Sequence, residues 1–246
     1  MTGGGCRATI LLCTYNGEAT LETALRSAAA QETGGRAFEV LVVDDGSADG
    51  TAAAAERFSR EDPRVRLLRL GANRGLAGAC NAGLEAARGE YILRLDDDDE
   101  LDPEALSAMC PFLESGEADW VYSDRTEVDE ESGERVRVEV GPFNVFRLIA
   151  CGVLMRKALI AEAGGYRPLF WEEYDLFLRY LEKAGGPAHY VPRPLYVYTR
   201  RTGGMTGERG RVEAGWAELA DLWGRDALAK HGWSPASLAG EAAGRE

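Results

Sequence analysis

No stretch of this chain approaches the ~18 to 20 uninterrupted apolar residues of a membrane-spanning helix. The opening residues Met1-Thr2-Gly3-Gly4-Gly5 also lack the basic and apolar parts of a signal peptide. The expectation is a cytoplasmic protein with no transmembrane segment. Peripheral contact at the inner face of a membrane stays open, because an amphipathic patch is not a span. Cysteine is sparse: Cys6, Cys13, Cys80, Cys110 and Cys151 are odd in number and lack metal-ligand spacing, so reduced thiols are expected rather than disulfides or zinc. Positive charge is in deficit as well. A formal net charge of −13 argues against a nucleic-acid partner, since phosphate backbones are bound by basic surfaces. Any phosphate bound here must be neutralised locally, by a metal, by helix N-termini or by a few placed arginines. There is no internal repeat and no low-complexity linker.

What is present is 246 residues, 45% of them hydrophobic, enough for one catalytic domain with a large α/β core. Residues 7–12 and 38–43 are short β-rich runs, each followed by polar turn residues and an amphipathic segment. Leu21, Leu25 and Ala28 recur at helical spacing, and Ser47 or Asp49 can cap a helix over 51–59. A third strand over 65–70, a helix over 76–87 and a fourth strand over 91–95 continue the alternation. This pattern predicts a mainly parallel, Rossmann-like sheet flanked by helices, with ligands at the carboxyl ends of its strands. Further on, the pattern predicts a helix from 102 to 113, a strand over 120–123, and a lateral β-ribbon over 124–140 turning at Glu131-Ser132-Gly133-Glu134. An apolar segment over 145–163 reads as helical. A turn at Gly164-Gly165-Tyr166, a helix over 173–183, a proline-bearing edge strand over 190–198 and a closing helix over 211–231 with a disordered tail complete the prediction.

Four constellations carry chemistry. Asp96-Asp97-Asp98-Asp99 follows the buried-strand pattern Tyr91-Ile92-Leu93-Arg94-Leu95, which puts it where a ligand sits. Alternate residues of an extended segment point the same way, so Asp96 and Asp98 can share one ligand, and a hard cation removes their repulsion. A solvated turn that caps the next helix is the competing account. The run Val42-Val43-Asp44-Asp45-Gly46-Ser47 ends the second strand. There Asp44 and Asp45 are candidate ligands of a base or ribose, and Ser47, Asp49 or Thr51 are candidate caps. Leu12-Cys13-Thr14-Tyr15-Asn16-Gly17 offers an aromatic face at the end of the first strand. The glycine-rich loop over 71–83 lacks the Gly-x-Gly-x-x-Gly spacing of a dinucleotide fingerprint. Lastly, Glu172, Glu173 and Asp175 cluster at a helix start, where the dipole favours acids. Their aromatic neighbours can raise a carboxylate's pKa toward that of a general base.

Taken in order, these motifs resemble the family 2 glycosyltransferases of the GT-A fold, over residues 8–206. The resemblance rests on Cys13-Thr14-Tyr15-Asn16, on Val43-Asp44-Asp45-Gly46-Ser47-x-Asp49-x-Thr51, and on Asn73-x-Gly75-Leu76 with Asn81-x-Gly83. It rests further on Leu95-Asp96-x-Asp98-Asp99 with Pro103, on Gly164-Gly165-Tyr166, on Glu172-Glu173-Tyr174-Asp175-Leu176, and on residues 198–206. It implies a catalytic domain over 1–206, with a nucleotide-binding half (1–103) and an acceptor-side half (104–206), followed by a C-terminal helix and tail (207–246). It also implies inverting, metal-dependent transfer from a nucleoside-diphosphate sugar, a UDP-sugar being favoured. The acceptor would be a hydroxyl of a saccharide or lipid-linked molecule in surface polysaccharide biosynthesis. By motif, Thr14, Tyr15, Asn16, Asp44 and Asp45 would hold the nucleoside, while Asn73, Gly75, Asn81, Asp96 and Asp97 would line the donor site. Asp98, with Asp96, would bind Mn²⁺ or Mg²⁺, and Glu173 falls at the general base, with Asp175 and Glu172 as fallbacks.

This sequence departs from the family pattern in four places. Cys13 stands where Pro is common, Cys80 where Arg is common, Glu173 where Asp is usual, and Arg201 where many members carry His. Arg201 and Arg200 can still neutralise a diphosphate, but neither supplies an imidazole ligand. Two other classes remain in view, a sugar nucleotidyltransferase and a non-catalytic nucleotide-sugar-binding protein. The first predicts a glycine-rich, basic loop after the first strand, where this chain has Thr14-Tyr15-Asn16-Gly17-Glu18. The second is disfavoured by carboxylates at both the metal and base positions.

Overall fold

The computed structural model describes residues 8–149, 151–184, 186–201 and 208–233. The alternation begins with β1 (Ala8–Thr14), α1 (Leu21–Ala29), β2 (Phe38–Asp44), α2 (Thr51–Glu61), β3 (Val65–Arg69), α3 (Gly75–Ala86) and β4 (Tyr91–Asp96). It continues through β5 (Glu100–Leu101), α4 (Ala105–Glu114), β6 (Trp120–Asp129), β7 (Arg135–Val138), β8 (Val153–Arg156) and α5 (Lys157–Glu162). The remaining elements are α6 (Glu172–Ala184), β9 (Ala188–Arg200), α7 (Arg209–Trp223) and α8 (Arg225–Lys230). No helix among the described residues is long and apolar enough to cross a membrane.

All seven residues of β1 are buried, as expected of a strand covered on both faces. Side chains alternate between two cores. Ile10, Leu12, Val40 and Val42 pack toward Leu21 and Leu25 of α1 and Leu106 and Met109 of α4. Leu11, Cys13, Leu41 and Val43 pack toward Cys80 of α3, Tyr174 and Phe177 of α6 and Trp216 of α7. The sheet order is β3-β2-β1-β4-β8-β6-β9-β5, with β7 paired to β6 outside that path. β3, β2, β1 and β4 run parallel, and the chain steps outward from β1 to β3 before returning to the other side of β1. That reversal opens a crevice beyond the carboxyl ends of β1 and β4, where ligands bind on such sheets.

Three expectations are corrected. The apolar segment 145–163 is not one helix. It forms a 3₁₀ turn at Val145–Arg147, then β8, then the six-residue α5. β8 runs antiparallel between β4 and β6, and both its faces are covered, Val153 and Met155 by one core and Leu154 by the other, so it carries no alternation that would separate it from a buried helix. β9 is longer than 190–198 and is flanked along part of its length. It pairs with β6 throughout and with β5 at Tyr196 and Val197. Its prolines fall where the register is irregular: Pro192 is skipped between Ser123 and Asp124, and Pro194, opposite Asp124, sits between two register shifts. The closing helix is broken at Gly224, whose φ of 78° suits glycine and ends α7 before α8 begins. The tail expected beyond it falls on residues 234–246, outside the described residues.

Trp120 is fully buried in the core that packs against α3 and α6, with Phe143, Tyr180 and Phe177 ring centroids 5.0, 5.4 and 5.6 Å away. Trp120→Ala is expected to cost about 3–5 kcal/mol in urea unfolding, whereas Leu222→Ala on the exposed face of α7 costs under about 0.5 kcal/mol.

Candidate active site

Hydrogen bonds tie the carboxyl end of β4 to β1 (Thr14 to Asp97), to the start of α6 (Arg94 to Glu172) and to the end of β9 (Thr199 to Asp99), and tie the end of β2 to the start of α3 (Arg74 to Asp45). Within the aspartate run the four side chains differ. Asp96 and Asp98 keep 34% and 37% of their side-chain surface exposed. Asp97 accepts a hydrogen bond from Thr14 Oγ1. Asp99 is buried, accepting from Tyr196 OH (2.6 Å) and Thr199 N (2.7 Å), which ties the run to β9. Gly17 is required beside this turn, since a Cβ there would lie 2.1 Å from Asp97 Oδ2.

Charge is crowded here. Burial pushes the Asp97 carboxyl up to about 6 and Asp99 to about 8, with the Asp96 charge adding to both, and Asp98 is raised by the same two causes. Asp96, Asp99 and Cys151 each bring a ligand atom within 4.8 Å of the others. Burial, followed by the Asp96 charge, raises the Cys151 thiol well above its ordinary value, so it stays protonated and offers no thiolate. A hard cation with oxygen ligands fits this donor set, since it relieves the repulsion and draws on the half-exposed carboxylates of Asp96 and Asp98. Arg201 lies beside it, with Nε 3.7 Å from Asp98 Oδ2 and Nη2 3.4 Å from Glu130 Oε1. Arg200 Nε is 3.8 Å from Glu127 Oε2. Neither Nε has a hydrogen-bond partner among the described residues, although both are buried. Residues 202–206 of the same motif lie outside the described residues.

At the other candidate positions, internal bonds take up much of the polar capacity. Asn16, at φ 54°, donates from N to Ser47 Oγ and accepts from Ala48 N, stitching the first loop to the second. Asp44 accepts from Ser47 N (3.0 Å) and Asp45 from Arg74 N (2.7 Å), so both buried carboxylates shape the loops above them. Of the candidate caps, Asp49 accepts from Thr51 N just before α2, but the N-cap position itself is Gly50, which has no side chain to cap the helix. Asn73 accepts from Gly75 N, whose residue sits at φ 75°. Asn81 grips the Tyr166 backbone with both amide atoms (2.8 Å each), and a Cβ on Gly165 would approach its Oδ1 to 2.5 Å. Tyr15 remains open, 51% exposed at the mouth of the crevice.

The three carboxylates in the first turn of α6 have separate fates. Asp175 is fully buried and accepts from Arg179 Nε (2.9 Å), Trp223 Nε1 (3.0 Å) and Arg167 Nη1 (3.4 Å), holding α6 to α7. Glu172 is buried and takes Arg94 Nη1 at 2.8 Å. Glu173 is partly exposed and makes no salt bridge among the described residues. Burial, with the neighbouring Glu172 charge second, holds its carboxyl well above the usual range. Arg94, Tyr196 and Trp223 were absent from the expected site. Of these only Arg94 left a signal, a charge within an otherwise apolar strand, which requires a partner.

A mainly parallel sheet with an aspartate run at the end of its fourth strand, facing a carboxylate-bearing helix start, defines a GT-A glycosyltransferase. The chain belongs to glycosyl transferase family 2, whose model matches residues 9–175. It is 42% identical over 130 residues to the succinoglycan biosynthesis protein ExoO of Rhizobium meliloti (strain 1021), covering 53% of this chain and 36% of that protein. The chain thus matches about a third of that curated relative's length. In fold it is similar to S. aureus TarS 1-349 in complex with UDP-GlcNAc (TM-score 0.69, 21% identity, 87% of this chain and 67% of that one). It is also similar to the mannosyltransferase PcManGT from Pyrobaculum calidifontis in complex with GDP-Man and Mn²⁺ (TM-score 0.68, 20% identity, 97% and 69%).

Asp99 generates a pH prediction. It stays protonated in the folded chain to about pH 8 and ionises in the unfolded chain near 4. The unfolded state therefore binds fewer protons between those values, and metal-free stability falls as pH rises through that window. Asparagine matches the protonated carboxyl in shape and can donate to Tyr196 while accepting from Thr199. Thermal unfolding of metal-free protein between about pH 5 and 8 should show a smaller decline for Asp99→Asn than for wild type; equal slopes contradict this assignment.

Proposed function

We propose that the protein is an inverting glycosyltransferase. It would move a sugar from a nucleoside-diphosphate donor, a UDP-sugar being favoured, to a hydroxyl of a saccharide or lipid-linked acceptor in surface polysaccharide biosynthesis. The observation that carries this reading is the division of labour on α6. Asp175 and Glu172 are committed to arginines, and of the three acids in the first turn Glu173 alone is partly exposed, without a salt bridge among the described residues and with raised proton affinity. A carboxylate of that kind suits a general base working near neutral pH.

In the proposed reaction Tyr15 stacks on the nucleobase, and Thr14, Asp44 and Asp45 shape the nucleoside end. Asn73, Gly75 and Asn81 line the sugar side. Asp96 and Asp98 would hold Mn²⁺ or Mg²⁺, which when bound would offset charge on the diphosphate leaving group. Arg200 and Arg201 present guanidinium groups to the same diphosphate. Glu173 takes the acceptor proton as the acceptor oxygen attacks the anomeric carbon. The bond from that carbon to the diphosphate breaks on the opposite face, so one displacement inverts the centre. The polysaccharide assignment draws on the likeness to ExoO, and the nucleotide-sugar donor on the complexes of the two structural neighbours.

Thermal shift across a panel of nucleoside diphosphates and nucleotide sugars, with and without Mn²⁺, is the test of the donor site. Stabilisation by at least one member that depends on Mn²⁺ is expected, and a panel without effect would sink the reading. Glu173→Gln keeps the shape but not the proton acceptor. It should lower transfer by about 10²- to 10⁴-fold while donor affinity stays within about threefold. Transfer above about a tenth of wild type would remove Glu173 from the role of base.

A further inference from the structure

Arg94 belongs to none of the sequence motifs, yet it physically joins the two sides of the site. It leaves β4 two residues before Asp96 and is 5% exposed. Its Nε donates to Asp96 Oδ1 (3.1 Å), with Nη2 at 3.1 Å from the same oxygen, and its Nη1 donates to Glu172 Oε1 at 2.8 Å. The guanidinium also lies over Tyr166, 6.0 Å from the ring centroid, and Asn81 clamps the backbone of that tyrosine. A planar fork that serves two carboxylates from different elements has little rotational freedom left. Glu172 is the first residue of α6, so holding it sets where the helix begins and where the adjacent Glu173 points. Engaging Oδ1 of Asp96 leaves Oδ2 without a hydrogen-bond partner among the described residues.

Stabilisation of the fold is a weak reason for this arrangement. Burying a guanidinium and a carboxylate carries a desolvation cost that their attraction often only balances, and an apolar pair of similar volume commonly does as well. The neighbours on β4, Tyr91, Ile92, Leu93 and Leu95, are all buried and apolar, so a leucine-like residue would suit the strand. The ion pairs span the gap across which donor and acceptor must meet. We propose that Arg94 is a positioning residue for transfer: it fixes the separation between the donor-side carboxylate Asp96 and the start of α6, so that Glu173 meets the acceptor hydroxyl in line with the anomeric carbon. This rests on the transferase reading above. Misplacement by about 1 Å is enough to cost on the order of 100-fold in turnover.

Two variants each cut one link. Arg94→Lys keeps the charge but loses the fork, and Glu172→Gln keeps the shape but loses the ion pair. Each is assayed with a panel donor that gives turnover, by nucleoside diphosphate release and by calorimetric titration of that nucleoside diphosphate with Mn²⁺. For each variant that folds, kcat should fall at least about tenfold while the nucleoside diphosphate Kd stays within about threefold of wild type. A merely structural role predicts instead that Kd, kcat and melting temperature decline together. That result, or kcat within about threefold of wild type in a folded variant, overturns the proposal, as does failure of both variants to fold. A wild-type protein that binds no nucleoside diphosphate and turns over no donor overturns the transferase reading itself, which separates the two failures.

Discussion

Arg94 reaches from the end of the fourth strand to a glutamate 78 residues later, and the geometry of the crevice follows from that contact. One buried guanidinium faces Asp96 on one side and Glu172 on the other. The parallel half of the sheet and the helix that covers it are thereby held at a set distance. Other contacts among the described residues also tie the carboxyl end of the sheet to distant parts of the chain. The Asn81 clamp on Tyr166 does so from α3, and the Asp99 bonds to Tyr196 and Thr199 do so from β9. Together these contacts turn a set of loops at one sheet edge into a rigid cleft, the arrangement that positioned chemistry needs.

Electrostatics divide the acidic residues into two groups. Asp44, Asp45, Glu172 and Asp175 are buried and each accepts hydrogen bonds that close a loop or join two helices. Asp96, Asp98 and Glu173 remain partly open. Carboxylates left open in a crowded, half-desolvated crevice are costly unless a cation or a proton arrives. Burial comes first and the Glu172 charge second in raising the proton affinity of Glu173 on α6. At Asp98 and Asp99 burial again comes first, with the Asp96 charge second.

The parallel half was legible because its strands are short, apolar and punctuated by polar turns, and each amphipathic helix between them carries one clear face. The segment 145–163 was not, because β8 is covered on both faces by the two cores and shows the same apolar run as a core helix. Gly224 broke a helix that periodicity alone would extend through it. At the site, segments that the motifs marked are joined by contacts in the fold, while the partners of individual side chains stayed hidden. Asn16 and Asn81 spend their amides on the backbone, and Arg94 finds its partner far along the chain. Two departures from the family pattern, Cys13 and Cys80, are one feature in space: their sulfurs lie 3.6 Å apart in the core.

The central claim is that Asp96 and Asp98 hold the donor's metal while Glu173 faces the anomeric carbon. It is tested most directly by a crystal structure with a nucleotide sugar and Mn²⁺, located by anomalous scattering. The account predicts a manganese peak shared by the Asp96 and Asp98 carboxylates and the donor diphosphate, with Glu173 as the carboxylate nearest the open face of the anomeric carbon. A peak elsewhere, or Asp175 or Glu172 in that place, would contradict it.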